Sequence, residues 1–223
     1  RYNIQRFRDG RFPSVTDTIW ASGTQSTIPE LFEHRVATDP DGEYLDIGAV
    51  KLTARDVTRV AERFGGALHE LGIQQHDRVA TLLENSPASL LAWAGTVCWG
   101  RIAVPINTAY KGDYLSHQLN DSGARVLVVA SSLVPRVAAV VAQVAALEHV
   151  VVVDDVEAGI ENSGGPPEGT HLHGVNVHRW DDLLETTTKA PGVVVRPSDL
   201  ATFIYTGGTT GMSKGCMLSH NYH

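Results

Sequence analysis

Cysteine is scarce: Cys98 and Cys216 are the two among 223 residues, too few and too far apart for a disulfide framework or a zinc-ligand spacing. That scarcity suits a reducing compartment, and a cytoplasmic location is expected. No apolar run approaches the ~18 residues of a membrane span. No signal peptide is read at the start, and the sequence opens on Arg1, so its true beginning is expected to be missing. Long Lys/Arg runs are absent too, and 25 acidic against 18 basic residues give a formal charge of −7. Nucleic-acid binding draws most of its affinity from clustered cations on phosphate, which argues against that role. With 43% hydrophobic and 19% charged residues, neither disorder nor a fibrous repeat fits. The chain reads as globular, with length for one large domain or two small ones.

What is present falls into an arm and an alternating body. Residues 1–27 carry Arg1, Arg6, Arg8 and Arg11 among Gly, Pro and Ser without a sustained period. Tyr2, Phe7, Phe12 and Trp20 interleave with those arginines, a pattern compatible with peripheral membrane contact; an arm packed on its own domain is the plainer reading. From Ile28 a short helix is expected, with Thr27 as cap, Pro29 early and Glu30 closing a capping box. Tyr44 to Ile47 reads as a strand. Val57, Val60, Ala61, Phe64, Leu68 and Leu71 then lie on one helical face, capped by Thr53 with Asp56 and ended by Gly72.

After Gly72 strands and helices alternate. Strands are expected at 78–83, 102–106, 125–130 and 150–153. Helices are expected from Pro87 to about Trp99, from Asp113 to about Leu119, and from Ser132 to Leu147. Val126 to Val129 and Val150 to Val153 are apolar on both faces, as strands covered by helices on both sides must be. The fold class is α/β: an open, mostly parallel sheet with helices on both faces, occupying residues 28–223. Asp154 to about Val175, with Gly164-Gly165-Pro166-Pro167, reads as a surface loop. His171, His173 and His178 in and after it lack neighbouring Cys and a fixed register, so a solvated cluster is expected in place of a metal site. A short helix from Trp180 to about Thr187 and a strand from Leu200 to Tyr205 lead into the one segment that carries chemistry.

That segment is Tyr205-Thr206-Gly207-Gly208-Thr209-Thr210-Gly211-Met212-Ser213-Lys214-Gly215. Its glycines and threonines suit neither helix nor strand but do suit a phosphate cradle. Glycine lets successive N–H groups turn toward one anion, threonine hydroxyls add donors, and a lysine neutralises phosphoryl charge. The Walker A loop is excluded because Lys214 lies between Ser213 and Gly215, and no G-x-G-x-x-G follows the first strand. A glycine hairpin without a ligand would have to leave the whole eleven-residue string unexplained.

The string resembles the phosphate-binding motif of the adenylate-forming superfamily, whose usual form is Tyr-Thr-Ser-Gly-Thr-Thr-Gly-x-Pro-Lys-Gly. Upstream, Asp77-Arg78-Val79-Ala80, Glu84-Asn85-Ser86-Pro87, Val104-Pro105-Ile106-Asn107 and Asp121-Ser122-Gly123-Ala124-Arg125-Val126 follow in that family's order. The resemblance covers about Ile28 to His220 and is greatest to acyl-CoA synthetases, fatty-acid–CoA ligases included. Gly207 replaces serine and Ser213 replaces proline. The resemblance implies an enzyme that uses ATP to convert a carboxylic acid into acyl-adenylate and pyrophosphate. Coenzyme A then gives the thioester and AMP. It further implies that Thr206, Gly207, Gly208, Thr209, Thr210, Gly211 and Lys214 hold the ATP phosphates, with Lys214 as the catalytic cation.

Magnesium is expected on the phosphates with its protein ligand outside this chain. The family's adenine and ribose motifs and its small carboxy-terminal domain would lie beyond His223. The chain is therefore expected to be an amino-terminal portion, inactive alone, with apolar strand faces such as Val126 to Val129 or their neighbours exposed. Homo-oligomer formation is left open. Alternatives are an adenylation domain or acyl-AMP ligase serving a carrier protein, and a non-catalytic nucleotide-binding module.

Overall fold

Three helices begin where side chains take over the unpaired N–H groups of a first turn. Thr27 accepts from the Glu30 N–H at the head of α1 (Ile28–Thr38), Thr53 from Asp56 at α2 (Ala54–Glu70), and Ser86 from Ser89 at α3 (Pro87–Val97). In each, the side chain of the third residue returns to the cap backbone, so the boxes read from sequence at α1 and α2 are both formed. The computed structural model describes residues 26–47, 50–154, 172, 174–208 and 211–223. The arm of residues 1–27 falls, but for Ser26 and Thr27, outside the described residues.

Two short strands, β1 (Glu43–Ile47) and β2 (Val50–Thr53), form an antiparallel pair beside α2. The main sheet comprises β3 (Arg78–Leu82), β4 (Ile102–Pro105), β5 (Val126–Ala130), β6 (His149–Val153), β7 (Asn176–Arg179), β8 (Leu200–Gly208) and β9 (Gly211–Ser219). Between these strands lie α4 (Asp113–Ser122), α5 (Val134–Ala138) and α6 (Trp180–Leu184). The strand order is β7-β6-β5-β3-β4-β8-β9, with every neighbouring pair parallel except β8 and β9. The open, mostly parallel α/β sheet expected from the sequence is present.

The period of two along a strand sorts the core into two layers. Val79, Ala103, Val126, Val128, Val151 and Ala201 face Ile28, Phe32, Val57, Phe64, Leu68, Leu91 and Trp180 of α1, α2, α3 and α6. Ala80, Leu82, Val104, Leu127, Val129, Val150 and Val152 face Leu115, Leu119, Val134 and Val137 of α4 and α5. Val126 to Val129 are therefore fully buried, contrary to the expectation of an exposed face. The exposed large apolar side chains of the sheet lie at its two edges instead: Val177 of β7 at one, and at the other Ile204, Met212 and Met217 of the last hairpin, the last two being the methionines of the sequence.

The helix expected from Ser132 to Leu147 is broken. Only Val134–Ala138 is α-helical, flanked by single 3₁₀ turns at Ser131–Leu133 and Val141–Gln143. Val134, Val137, Val140, Val141 and Val144 are β-branched and lose χ1 freedom in a helix, and Pro135 fits only a first turn. β2 and β7 were not expected; each is four residues long, β2 with two polar residues and β7 with three, too short for alternation to register. Most of the 154–175 segment lies outside the described residues.

One buried charge ties the layers together. Arg101, 1% exposed, precedes β4 and donates from Nε and Nη2 to the Ile73 carbonyl, at 3.0 and 2.8 Å, and from Nη1 to the Gly65 carbonyl of α2 at 3.2 Å. Burial lowers its pKa to about 10, so it remains a cation at neutral pH.

Candidate functional site

The topology selects one edge of the sheet. From β3 the chain steps to β4 on one side, then back past β3 to β5, β6 and β7, and finally to β8 beside β4. Ligands of open α/β sheets sit beyond the carboxyl ends of the strands, where this order reverses. Along that edge stand Glu84, after β3, and Asn107 and Thr108, after β4. The Thr108 hydroxyl donates to the Glu84 carboxylate, Asn107 Oδ1 accepts from the Ala109 N–H at 2.9 Å, and Arg136 donates to the Thr108 carbonyl.

The glycine-rich string runs off the same edge, but not as irregular loop. β8 continues to Gly208 and β9 resumes at Gly211, so the string is the distal half of an antiparallel hairpin. Its pairing sets Tyr205 opposite Gly215, Thr206 opposite Lys214 and Gly208 opposite Gly211, with a register irregularity between Thr206 and Gly208. The composition argues against strand, yet a hairpin needs turn residues only at its tip, and cross-strand pairs carry the rest. Thr209 and Thr210 lie outside the described residues. Gly215 serves a close approach, since a Cβ there would sit 3.2 Å from Tyr205 Cζ.

Directly opposed residues of an antiparallel pair project to the same face, so Thr206 and Lys214 stand side by side, both exposed. Tyr205 and Ser213 occupy the other face, which lies on α4. There the Tyr205 hydroxyl donates to Asp121 Oδ2 at 2.7 Å and Gln118 Nε2 donates to Ser213 Oγ at 2.9 Å. His117 Nε2 is 3.0 Å from the Ser213 carbonyl, which can only accept, so that nitrogen carries a proton. Burial, reinforced by the hydrogen bond to Asp121, raises the Tyr205 pKa well above the usual phenol range and keeps the hydroxyl a donor. The sequence placed Asp121 in the family string without a role and passed over His117 and Gln118, whose contacts cross some 95 positions.

Other chemistry lies away from this edge. His171 and His173 are outside the described residues, while His178 meets His149 with Nε2 and Nδ1 3.0 Å apart. Burial lowers the pKa of both rings. No group of three His, Cys, Asp or Glu side chains able to hold a metal stands among the described residues. A cavity of about 410 Å³ is lined by Thr27, Phe32, Thr58, Cys98, Trp99 and Val193 among others, none of them from the glycine string. Burial pushes the Cys98 thiol up to about 12, so it is no thiolate nucleophile.

A family model described as AMP-binding enzyme matches residues 32–223. The medium/long-chain-fatty-acid–CoA ligase FadD6 of Mycobacterium tuberculosis is 30% identical over 208 residues, 93% of this chain and 32% of that protein. Tyrocidine synthase 3 of Brevibacillus parabrevis is 28% identical over 204 residues, 92% of this chain and 3% of that protein. Among solved structures, the anthranilate CoA ligase AuaEII in complex with anthranoyl-AMP superposes with a TM-score of 0.75 at 26% identity, over 88% of this chain and 35% of that one. The chain thus spans about a third of the fatty-acid–CoA ligase it matches.

Proposed function

Because the chain belongs to the AMP-binding enzyme family, within the adenylate-forming superfamily, we propose that it supplies the phosphate-holding part of an ATP-dependent acyl-CoA synthetase acting on a fatty acid. The carboxylate oxygen attacks the α-phosphorus of ATP and the bond to the bridging oxygen breaks, giving acyl-adenylate and pyrophosphate. The coenzyme A thiol then adds to the acyl carbon and AMP leaves, giving the thioester. Backbone N–H groups of Gly207, Gly208 and Gly211 with the hydroxyls of Thr206, Thr209 and Thr210 hold the phosphates, and Lys214 offsets charge on the departing pyrophosphate. This is positioning and electrostatic work.

The observation that carries the reading is the hairpin itself: two strands that run off the carboxyl edge of a parallel sheet with Gly208 opposite Gly211 at their described ends, and a lysine beside a threonine on the free face. The described residues offer no metal-ligand group, so no step is assigned to magnesium. The likeness to AuaEII, a CoA ligase with anthranoyl-AMP bound, supports adenylate chemistry, and the likeness to FadD6 supports a fatty acyl substrate.

A second acceptor, a carrier-protein thiol in place of coenzyme A, is favoured by the likeness to tyrocidine synthase 3. The test incubates the full-length enzyme with ATP, magnesium and a panel of fatty and aromatic acids. Acid-dependent pyrophosphate release is expected, with AMP and acyl-CoA appearing when coenzyme A is added. Conversion of ATP to ADP would sink the reading, and thioester on a carrier protein alone would favour the second acceptor.

A further inference from the structure

The ribbon formed by β8 and β9 has two unlike faces. Thr206 and Lys214 look outward on one, and on the other Tyr205 from β8 and Ser213 from β9 are each hydrogen-bonded to α4. Both arms of the hairpin are thus tied to the same helix, one on each side of the tip. Ser213 is held twice, its hydroxyl by Gln118 and its carbonyl by His117. It stands where the family's usual string has proline. That ring would stiffen the turn by itself; a serine does so only through partners.

Gln118 shows what the arrangement costs. Its side chain is fully buried, Nε2 is engaged by Ser213, and Oε1 has no hydrogen-bond partner among the described residues. A buried amide with one unmet oxygen is a poor choice for stability, because the desolvation of that oxygen is not recovered. A side chain of equal length without polar atoms would fill the site at least as well. The return on the glutamine lies in where it holds the hairpin.

We infer that Gln118, His117 and Asp121 of α4 are positioning residues for the phosphate-binding hairpin, acting through Ser213 and Tyr205 to fix its tip over the carboxyl edge of the sheet. The inference rests on the ATP-using reading above. α4 touches no reacting atom in this arrangement. It sets the angle at which the backbone donors and Lys214 meet the phosphates, so its loss weakens nucleotide use and leaves the acid untouched.

The test uses the full-length enzyme with the variants Gln118→Met, Ser213→Ala, the double variant, Asp121→Ala and Asp121→Asn. Gln118→Met is expected to keep or raise the melting temperature while raising KM for ATP about fivefold, the effect of one lost hydrogen bond. KM for the acid and kcat at saturating ATP stay near wild type. Ser213→Ala gives the same shift, and the double variant is no worse than either single one, because one contact is lost in all three. Asp121→Ala behaves alike, whereas Asp121→Asn, which keeps an acceptor, restores most of the ATP affinity.

Amide hydrogen exchange of residues 203–217 provides a readout that does not need turnover, and it is expected to quicken in the Met and Ala variants. An unchanged KM for ATP in an enzyme that releases pyrophosphate overturns the inference, as does a Gln118→Met variant that melts earlier with ATP use intact. If wild type releases no pyrophosphate, the ATP-using reading fails. Hydrogen exchange then decides the clamp by itself: unchanged rates overturn it, and quickened rates sustain it.

Discussion

Lys214 and Thr206 share the outward face of a two-stranded ribbon, which brings an ammonium group beside a hydroxyl where neither is committed to the core. A phosphate meeting that face gains a point charge and a donor together. Lys214→Ala is expected to raise KM for ATP more than tenfold in the full-length enzyme, a loss in the range of charge-assisted hydrogen bonds, and to leave KM for the acid nearly unchanged. Steady-state kinetics with each substrate varied in turn checks this; wild-type ATP use at sub-saturating concentration would demote Lys214 to a surface residue. The eleven-residue string was legible because its chemistry is local: glycine, threonine and lysine within one short stretch. Its seat on α4 was not, because Gln118 and Ser213 meet only once β8 has found its place beside β4. The pairing of His149 with His178 was hidden for the same reason, being a consequence of β6 lying next to β7.

Elements whose signals sit within one turn are legible in the sequence. The capping boxes at Thr27 and Thr53 and the apolar face of α2 all formed as expected. The valine-rich stretch after β5 misled because its helix-like spacing of apolar residues satisfies a buried face equally well as short turns, and β-branched side chains tip the balance away from helix. Between elements, Arg101 matters most: a single guanidinium closes carbonyls of α2 and of the turn after it onto the start of β4. Arg101→Met removes three charge-assisted contacts to the Ile73 and Gly65 carbonyls, and is expected to cost about 3 kcal/mol or more. Urea unfolding followed by circular dichroism measures it. A midpoint within error of wild type would mean that the cation and its carbonyls merely break even against a hydrophobic filling.

At the scale of the whole molecule, buried histidines make stability depend on mild acid. His220, 2% exposed, accepts from the Ile28 N–H through Nδ1 at 3.4 Å and so joins the first residue of α1 to the turn after β9. Burial lowers its pKa to about 4, and it lowers those of His149 and His178 as well. Since an unfolded histidine titrates near pH 6.5, the unfolded chain binds more protons than the folded one between that pH and the folded values. The stabilisation is complete above about pH 6.5 and is lost as pH falls toward 4, with His220 alone contributing on the order of 3 kcal/mol. Urea midpoints at pH 7.5 and 5 are expected to differ in that direction, and His220→Gln to flatten the difference; an equal slope in that variant would assign the effect elsewhere.

Both methionines of the sequence lie on β9, Met212 and Met217, with Lys214 between them. Labelled at their ε-methyl carbons, the 223 residues yield a spectrum of two signals, and each originates in the hairpin. A magnetic resonance experiment on this chain therefore needs no assignment of its remaining side chains: any molecule that displaces either signal has reached the strand that carries the lysine, or has moved it.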